Sequence, residues 1–342
     1  GILAGVALNG NGLRQAGMTT PHSRTFSATR DSSAAQSFCD GRHFAGDSYG
    51  EYEYKCDEEG LAVALKDRFP GRLFPLDFAI GSGAHAVTFL TLLKDGDETV
   101  AVEHRMSWFR NGEVAGITPG QSEVEPAGDM SYFGKVFRGD EMHRCVNCHV
   151  TTGRIIDGEI RDLTAGIHCE RCHGPGAAHA VAAIAGDMDT ALSAIRSHWT
   201  SAEEVAMCGD CHRMPRDVTT DRLTKYPNSL VRFQPIGLLQ SNCYLNSGGA
   251  LRCTTCHDAH DGVHSRSIER QTESCLSCHS HADQTKCAAK ETAKCIECHM
   301  PAIELVPGVS FHDHWIRVRR DTPIPDNTED ASDHASALKG EP

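Results

Sequence analysis

Apolar and polar side chains alternate over much of the first 140 residues, which is the pattern of strands with one buried face. The alternation runs over residues 52–56 and again over 61–65, with the turn-like sequence Asp-Glu-Glu-Gly at 57–60 between them. Two alternating runs joined by a polar turn that contains glycine predict a β-hairpin. The N-terminal part of the chain is therefore predicted to be β-rich.

Two more alternating runs place histidines among apolar residues. The first run puts His85, Val87 and Phe89 on one face. The second run spans residues 99–109 and is predicted to bury one face and expose the other. Its apolar face holds Val100, Val102, His104, Met106 and Trp108, and its polar face holds Glu103 and Arg105.

From residue 142 onward the strand pattern gives way to short helical segments. Ser201 and Glu204 have the spacing of a capping box, which predicts a helix that begins there and runs to Cys208. Residues 177–185 and 189–198 are further helical candidates. Beyond residue 320 the chain is polar, with Pro, Asp and Glu, and is predicted to be a tail that cannot bury itself.

The pattern Cys-x-x-Cys-His occurs six times between residues 145 and 299, and it is the attachment signature of c-type haem. Zinc ribbons also use Cys-x-x-Cys pairs but need no histidine after every second cysteine, and a disulfide scaffold needs none at all. The sequence therefore predicts six haem c groups, each held by two thiols and ligated by the adjacent imidazole. The cysteine pairs are Cys145 and Cys148, Cys169 and Cys172, Cys208 and Cys211, Cys253 and Cys256, Cys275 and Cys278, and Cys295 and Cys298. The motif histidines are His149, His173, His212, His257, His279 and His299.

The motifs leave about 26 residues per haem, which is too few to build a separate apolar core around each porphyrin. The haems themselves are therefore predicted to form the core, packed closely enough for fast electron transfer. The predicted fold is a multihaem cytochrome c with little regular secondary structure, in which short helices surround stacked haems and the N-terminal part is rich in β-hairpins. We expect a β-rich haem-free segment at 1–140, a hexahaem domain at 141–320 and a polar acidic tail at 321–342.

The formal net charge of −13, with no run of Lys and Arg, disfavours nucleic-acid binding. The expected partners are other redox proteins or extracellular electron acceptors, with self-assembly into a filament as a further expectation. Haem c is attached outside the cytoplasm, so we expect a chain exported to the periplasm or beyond. No membrane span is expected, because the apolar stretch at 1–10 is too short to cross a bilayer.

Four cysteines lie outside the haem motifs, and an even number in an oxidising compartment suggests two disulfides. We favour Cys39–Cys56, which closes a short local loop, and Cys243–Cys287, which would brace the haem region. Four cysteines allow three connectivities, and the other two stay open at this point.

The second axial ligand of each haem separates an electron carrier from a catalyst, because a second histidine closes the iron and an open position admits substrate. His85 and His104 share apolar faces, and His179 follows a Gly-Pro-Gly turn. His260 cannot easily reach the haem of His257, three residues before it, but can reach the next one. Of His312 and His314, which lie at strand spacing, only one need be a ligand. The histidines interpreted as surface residues are His43, His143, His198, His264, His281 and His334.

The sequence resembles the tetrahaem and octahaem cytochrome superfamily that includes hydroxylamine oxidoreductase and its electron-accepting cytochrome. It resembles more closely a group of exported multihaem cytochromes, many of them fused to tetratricopeptide repeats. The segments that carry the resemblance lie at 21–26 (PHSRTF), 81–89 (GSGAHAVTF), 166–176 (GIHCERCHGPG), 208–213 (CGDCHR), 232–237 (RFQPIG), 295–301 (CIECHMP) and 311–316 (FHDHWI). The resemblance implies seven candidates for the six distal positions, namely His22, His85, His104, His168, His179, His260 and His314.

Two departures from these relatives concern the chain's ends. Relatives often carry one more Cys-x-x-Cys-His motif before the position of His22, and they carry the repeat domain, both of which this sequence lacks. His22 could therefore serve a haem in an adjacent subunit.

The favoured function is electron transfer through six haems that are mostly or wholly ligated by two histidines. The alternative is a reductase or oxidase of small nitrogen or sulfur compounds with one open haem. No motif ends in the lysine used by one class of nitrite reductases, while Tyr49, Tyr132, Tyr226 and Tyr244 could each lie beside an open haem.

Overall fold

The computed structural model describes residues 26–39, 45–81, 83, 86–110, 114–121, 126–195, 199–260, 267–279, 295–306 and 309–319. Among the predicted ligands, His22 and His85 lie outside these ranges. Cys287, which is the predicted disulfide partner of Cys243, and the whole predicted tail at 321–342 also lie outside them.

The N-terminal part contains two antiparallel sheets. The larger sheet has the order β1-β6-β7-β8-β11, with β9 paired to β7 and β10 paired to β9, and the smaller has the order β2-β3-β4-β5. The strands are β1 Phe26–Ala28, β2 Ala45–Asp47, β3 Gly50–Asp57, β4 Gly60–Ala64, β5 Phe74–Leu76, β6 Phe78–Ile80, β7 Ala86–Asp95, β8 Glu98–His104, β9 Met106–Phe109, β10 Val114–Ile117 and β11 Gly134–Phe137.

The predicted hairpin is confirmed, since β3 and β4 pair antiparallel with Asp57 opposite Gly60. Asp57 Oδ1 accepts hydrogen bonds from the backbone N–H of Glu59 at 2.9 Å and of Gly60 at 3.2 Å, which closes the turn. Gly60 has a φ of 137°, a conformation that L-residues with a side chain rarely adopt. The predicted disulfide Cys39–Cys56 is also confirmed and ties helix α1 (Ser33–Cys39) to β3.

The run at 99–109 forms two strands rather than one, because the chain breaks at Arg105 between β8 and β9. Arg105, which the alternation places opposite the apolar face, is itself buried and only 2 % exposed. Its guanidinium forms an ion pair with Asp47 and lies 4.8 Å from the ring centroid of Tyr49. Burial of this charge is tolerated because the carboxylate compensates it.

The hydrophobic core continues across residue 140, the expected boundary of the haem-free segment. Leu90 and Ala101 of the large sheet pack with Met142 and Val146 of helix α2 (Gly139–Asn147), which carries the first haem motif. The first motif is therefore anchored on the β-rich part rather than joined to it by a linker.

The rest of the described chain consists of short helices and two hairpins. The hairpins are β12 Val150–Ile156 with β13 Glu159–Ala165, and β14 Ala302–Val306 with β15 Val309–His312. The helices are α3 Cys169–His173, α4 Ala177–Ile184, α5 Met188–Ile195, α6 Ser201–His212, α7 Thr220–Thr224, α8 Gln234–Leu238, α9 Asn242–Asn246, α10 Cys253–Cys256, α11 Ile268–Leu276 and α12 Cys295–His299. None of the helices in the described part of the chain is long and apolar enough to cross a membrane.

Helix α6 begins as predicted, but its capping box lies one residue earlier. Thr200 is the N-cap, its backbone N–H donates to Glu203 Oε2 at 2.7 Å, and the backbone N–H of Glu203 donates to Thr200 Oγ1 at 3.3 Å. The assignment of the box to Ser201 and Glu204 was wrong, because both of these residues are buried and bond to other segments.

Candidate haem centres

Each haem motif lies on a helical turn or directly after one. The first cysteine opens the helix in motifs two, four and six, which use α3, α10 and α12, and lies toward the helix C-terminus in motifs one, three and five, which use α2, α6 and α11. Residues i and i+3 share one face of a helix, so both thiols of a pair point toward the same side. This is the arrangement that one planar porphyrin with two attachment points requires.

The second cysteines are not all inside the helices. Cys172, Cys211, Cys256 and Cys298 lie within α3, α6, α10 and α12, whereas Cys148 and Cys278 follow the ends of α2 and α11. The helical turn nevertheless continues through both of the latter. The backbone N–H of Cys148 donates to the carbonyl of Arg144 at 3.2 Å, and that of Cys278 donates to the carbonyl of Cys275 at 3.2 Å.

The motifs follow one another in space. Helix α10 packs against α6 and α11, and α11 packs against α12, which links motifs three to six in order. The first motif joins the third, since the thiol of Cys148 lies 3.6 Å from the carbonyl oxygen of Asp210. A hydrogen bond from Cys148 lowers the pKa of the Cys211 thiol to about 6. Haems attached at these two motifs would lie close together.

Cys278 and Cys298, the second cysteines of the last two motifs, differ from Cys148 and Cys211. The thiol of Cys278 lies 3.8 Å from the hydroxyl of Ser277, its sequence neighbour, and the residue is exposed, while Cys298 is half-buried. Among the described residues, neither thiol forms a hydrogen bond to another motif. The predicted haem attachment at Cys278 and Cys298 therefore rests on the motif spacing and the helical turn.

Two pairs of histidine rings lie at a separation compatible with two axial ligands of one haem iron. The ring centroids of His173 and His260 are 6.1 Å apart with planes inclined by 6°, and those of His257 and His314 are 6.1 Å apart with planes inclined by 28°. A metal–imidazole bond is about 2.0 Å, so two rings that ligate one metal from opposite sides have centroids roughly 6 Å apart. In each pair a motif histidine faces one of the predicted distal candidates.

Several imidazoles are oriented by a backbone carbonyl that accepts from Nδ1. The Nδ1–H of His314 donates to the carbonyl of His312 at 2.9 Å, that of His179 to Ala191 at 2.9 Å, and that of His299 to Arg317 at 3.0 Å. A carbonyl can only accept, so the proton is fixed on Nδ1 and Nε2 keeps its lone pair for a metal.

Desolvation favours the neutral form of two imidazoles, those of His314 and His212, and ligation of a metal requires that form. The pKa of His314 falls to about 4, mainly because the ring is desolvated. Desolvation also lowers the pKa of His212. The residue is nonetheless exposed at the surface of the described part of the chain. These observations show that the residues present fit haem c.

His104 has a different environment. Its Nδ1–H donates to the carbonyl of Phe133 at 2.7 Å, and its Nε2 accepts from the hydroxyl of Tyr54 at 2.8 Å. The ring is fully buried between Tyr52 and Tyr54 in the core of the β-rich part. Both nitrogens are thus engaged by protein, and the geometry does not support the predicted role of His104 as an iron ligand.

His168 and His312 differ from His104 in that both are exposed. His168 is exposed, and its Nε2–H donates to the carbonyl of Ala165 at 3.0 Å, which leaves Nδ1 as the nitrogen able to accept a metal. His312 donates from Nδ1 to Met300 and is also exposed. Tyr226, one of the tyrosines considered for an open haem, donates its hydroxyl to Asp313.

Zinc requires a different arrangement from the one observed. A tetrahedral zinc site brings four protein ligands together around one point. In the ranges that the structure describes, no group of three or more His, Cys, Asp or Glu side chains is placed to hold a metal ion. Four histidines lie in two close pairs, His173 with His260 and His257 with His314, and one such pair suffices for a haem because the porphyrin supplies the other four ligands.

Sequence reasoning missed Glu204, a buried carboxylate that connects two motifs. Its oxygens accept from the backbone N–H of Thr254 at 2.8 Å and from the Thr254 hydroxyl at 3.1 Å. Thr254 lies between the cysteines of the fourth motif, while Glu204 precedes the third motif on α6. The negative charge of Glu204 acts on both Cys208 and Cys253. Residue spacing carries no signal for this contact, because the partner of Glu204 is fifty residues away.

We expect Glu204→Gln to raise the reduction potentials of the haems on motifs three and four. A buried negative charge stabilises the ferric over the ferrous state, so its loss shifts the potentials upward by on the order of tens of millivolts. Spectroelectrochemical titration of the variant measures this shift. Glu203→Gln is the matched control, since Glu203 is exposed and Gln can still cap the helix. Equal titration curves for both variants would rule out an electrostatic role for Glu204.

Comparison with known families identifies one similar segment. Residues 122–174 match the family described as cytochrome c554 and c-prime. This stretch contains the first two Cys-x-x-Cys-His motifs, yet it covers less than a sixth of the chain. No curated protein and no solved structure matches the chain. The match supports a c-type cytochrome with covalently bound haem.

Proposed function

We propose that this chain transfers electrons through six covalently bound haem c groups, each of them ligated by two histidines. The observation that carries this proposal is that two pairs of imidazole rings each lie 6.1 Å apart, His173 with His260 and His257 with His314. A haem closed on both sides has no open position for substrate and acts by passing electrons. The protein residues would hold the haems, orient the axial imidazoles and exclude water from the irons.

The spatial order of the motifs supports a continuous path for electrons. The third motif lies beside the first and the fourth, and the fourth, fifth and sixth follow in sequence. Electrons would therefore enter and leave at different ends of one row of haems. Redox proteins or extracellular acceptors are the proposed partners at those ends.

Export from the cytoplasm is part of the proposal. The disulfide Cys39–Cys56 supports it, because disulfides persist in oxidising compartments. Haem c is attached in the same compartments, so one location accounts for both modifications.

The haem count tests the proposal directly. We expect intact-mass analysis and a pyridine haemochrome assay to give six haems per chain. The double variant with Cys275→Ser and Cys278→Ser should give five, because one attachment site is removed, and the double variant with Cys295→Ser and Cys298→Ser should give five for the same reason. Cys243→Ser is the matched control and should retain six, since Cys243 lies outside the motifs.

The spin state is measured on the same samples. The ferric wild-type protein should be low-spin. Bound zinc in place of haem, or a high-spin haem that shifts with nitrite or hydroxylamine, would contradict the proposal. A haem count of six in either double variant would show that the corresponding motif carries no haem.

Self-assembly into a filament extends this proposal and is examined on the same preparation. Rows of haems in successive subunits would continue the electron path from one chain to the next. Electron microscopy should show regular filaments. Discrete monomers at all concentrations would remove the filament from the proposal and leave the electron carrier intact.

A further inference from the structure

Residues 312–319 form a segment, here called the C-terminal strap, that lies against α8 and the turn after it. Ser241 connects the two, since its hydroxyl donates to the carbonyl of His314 at 2.9 Å and accepts from the backbone N–H of Ile316 at 2.8 Å. The approach is so close that a Cβ on Gly237 would lie 2.6 Å from the backbone nitrogen of Trp315. The strap is therefore held at backbone level, in one position.

Asp313 is the centre of the side-chain contacts within the strap. It is completely buried. Its Oδ1 accepts from the Tyr226 hydroxyl and from the backbone N–H of Trp315 at 2.9 Å. Its Oδ2 accepts from the guanidinium of Arg317 at 3.2 Å and from that of Arg319. The carboxylate of Asp313 thus connects residues within the strap and also binds Tyr226, which lies in the segment that precedes α8.

The strap serves two haem motifs at once. His314, next to Asp313, faces the fourth motif's His257. Arg317, which Asp313 binds, offers its carbonyl to Nδ1 of the sixth motif's His299 at 3.0 Å. Arg317 is also fixed by its guanidinium, which lies 3.9 Å from the ring centroid of Trp315. Displacement of the strap would therefore disturb the distal ligand of one haem and the proximal ligand of another.

We propose that Asp313 is a positioning residue that holds the strap so that two haem sites keep their axial ligands in register. It would place Nε2 of His314 opposite His257 and, through Arg317, fix the tautomer and the orientation of His299. The carboxylate also compensates two guanidinium groups that would otherwise repel each other in a partly buried place. This inference rests on the proposed function, because it assigns roles toward haems four and six.

The test uses the full-length haem-loaded protein and the variant Asp313→Asn. We expect the low-spin EPR signals of two haems to broaden or shift, because the orientation of the axial imidazoles sets their anisotropy. The reduced variant should bind CO at a fraction of one haem per chain, whereas the wild type binds none. The potentials of two haems should move upward, since a negative charge and a firmly held ligand are both lost.

Two further variants keep the test decisive. Tyr226→Phe removes one hydrogen bond to Asp313 and retains the ring, so it should give the same changes at smaller amplitude even if Asp313→Asn folds poorly. Asp221→Asn is the matched control, because Asp221 is exposed and pairs with Lys225, the residue after α7. Its spectra and potentials should equal those of the wild type.

The outcomes separate this inference from the proposed function. Asp313→Asn and Tyr226→Phe proteins that carry six haems, bind no CO and keep wild-type EPR signals and potentials would overturn the role of Asp313 alone. A wild-type protein with fewer haems, or one that binds CO at an open site, would overturn the proposed function itself.

Discussion

Replacement of His314 by alanine is expected to open one haem in the chain. The ring centroid of His314 lies 6.1 Å from that of His257, and its Nδ1 is engaged by the carbonyl of His312, which leaves Nε2 as the nitrogen able to ligate. Without this ring the haem of the fourth motif keeps only its proximal ligand. One haem equivalent should become high-spin in the ferric state and bind CO in the ferrous state, and its potential should rise because a basic ligand is lost.

The matched control is His312→Ala, since His312 is the same residue type two positions away on the same segment. It is exposed and donates from Nδ1 to the carbonyl of Met300. We expect this variant to retain a fully low-spin spectrum and to bind no CO. The opposite result, with His312→Ala open and His314→Ala closed, would assign the ligand to His312. No opening in either variant would remove the strap from the haem site.

The haem motifs can be recognised in the sequence, because the attachment signature consists of three residues at fixed spacing. The second axial ligand is harder, since it comes from a distant part of the chain. His260 was expected at the next haem after that of His257, but its ring lies beside that of His173 in the second motif. Strand spacing places His312 and His314 on one face and does not separate them. The resemblance implies His314, whose ring lies 6.1 Å from that of His257.

The alternation of apolar and polar residues predicts the burial of His104 but not its role. The alternation correctly predicts a buried face for Val100, Val102 and His104. It cannot distinguish a core histidine from a ligand, because the deciding partners are Tyr54 and the carbonyl of Phe133, both remote in sequence. The same limit applies to Glu204, whose local spacing resembles a cap while its side chain binds Thr254 of another motif.

The β-rich part and the haem-rich part differ in what holds them together. Buried aliphatic and aromatic side chains form continuous clusters in the sheets and extend onto α2. After the β12–β13 hairpin, the clusters of buried side chains in the described part of the chain are small, as around Leu230, Phe233 and Ile236. This difference, like the exposure of Cys278, fits a C-terminal part in which porphyrin faces supply most of the apolar surface.

We expect the stability of the β-rich part to fall as the pH drops below 6.5, with His104 as a principal cause. Burial lowers the pKa of His104 to about 4, whereas a histidine in the unfolded chain titrates near 6.5. Between these values the unfolded state binds a proton that the folded state does not, so acid favours unfolding. The loss between pH 7 and pH 5 should be about 2 kcal/mol from this residue alone.

The variant His104→Phe separates a core residue from a haem ligand. It should lose the pH-dependent contribution of His104, so its free energy of unfolding should change less than that of the wild type between pH 7 and pH 5. At pH 7 it should be less stable by about 1–3 kcal/mol, because the Tyr54 hydroxyl loses its acceptor in a buried place. Tyr54→Phe in the same chain should recover part of this loss. Guanidinium unfolding followed by far-ultraviolet circular dichroism measures these differences, and haem spectra of all variants should stay low-spin. A high-spin haem in His104→Phe would show that His104 is an iron ligand after all, and an unchanged pH dependence would show that other groups control the acid sensitivity.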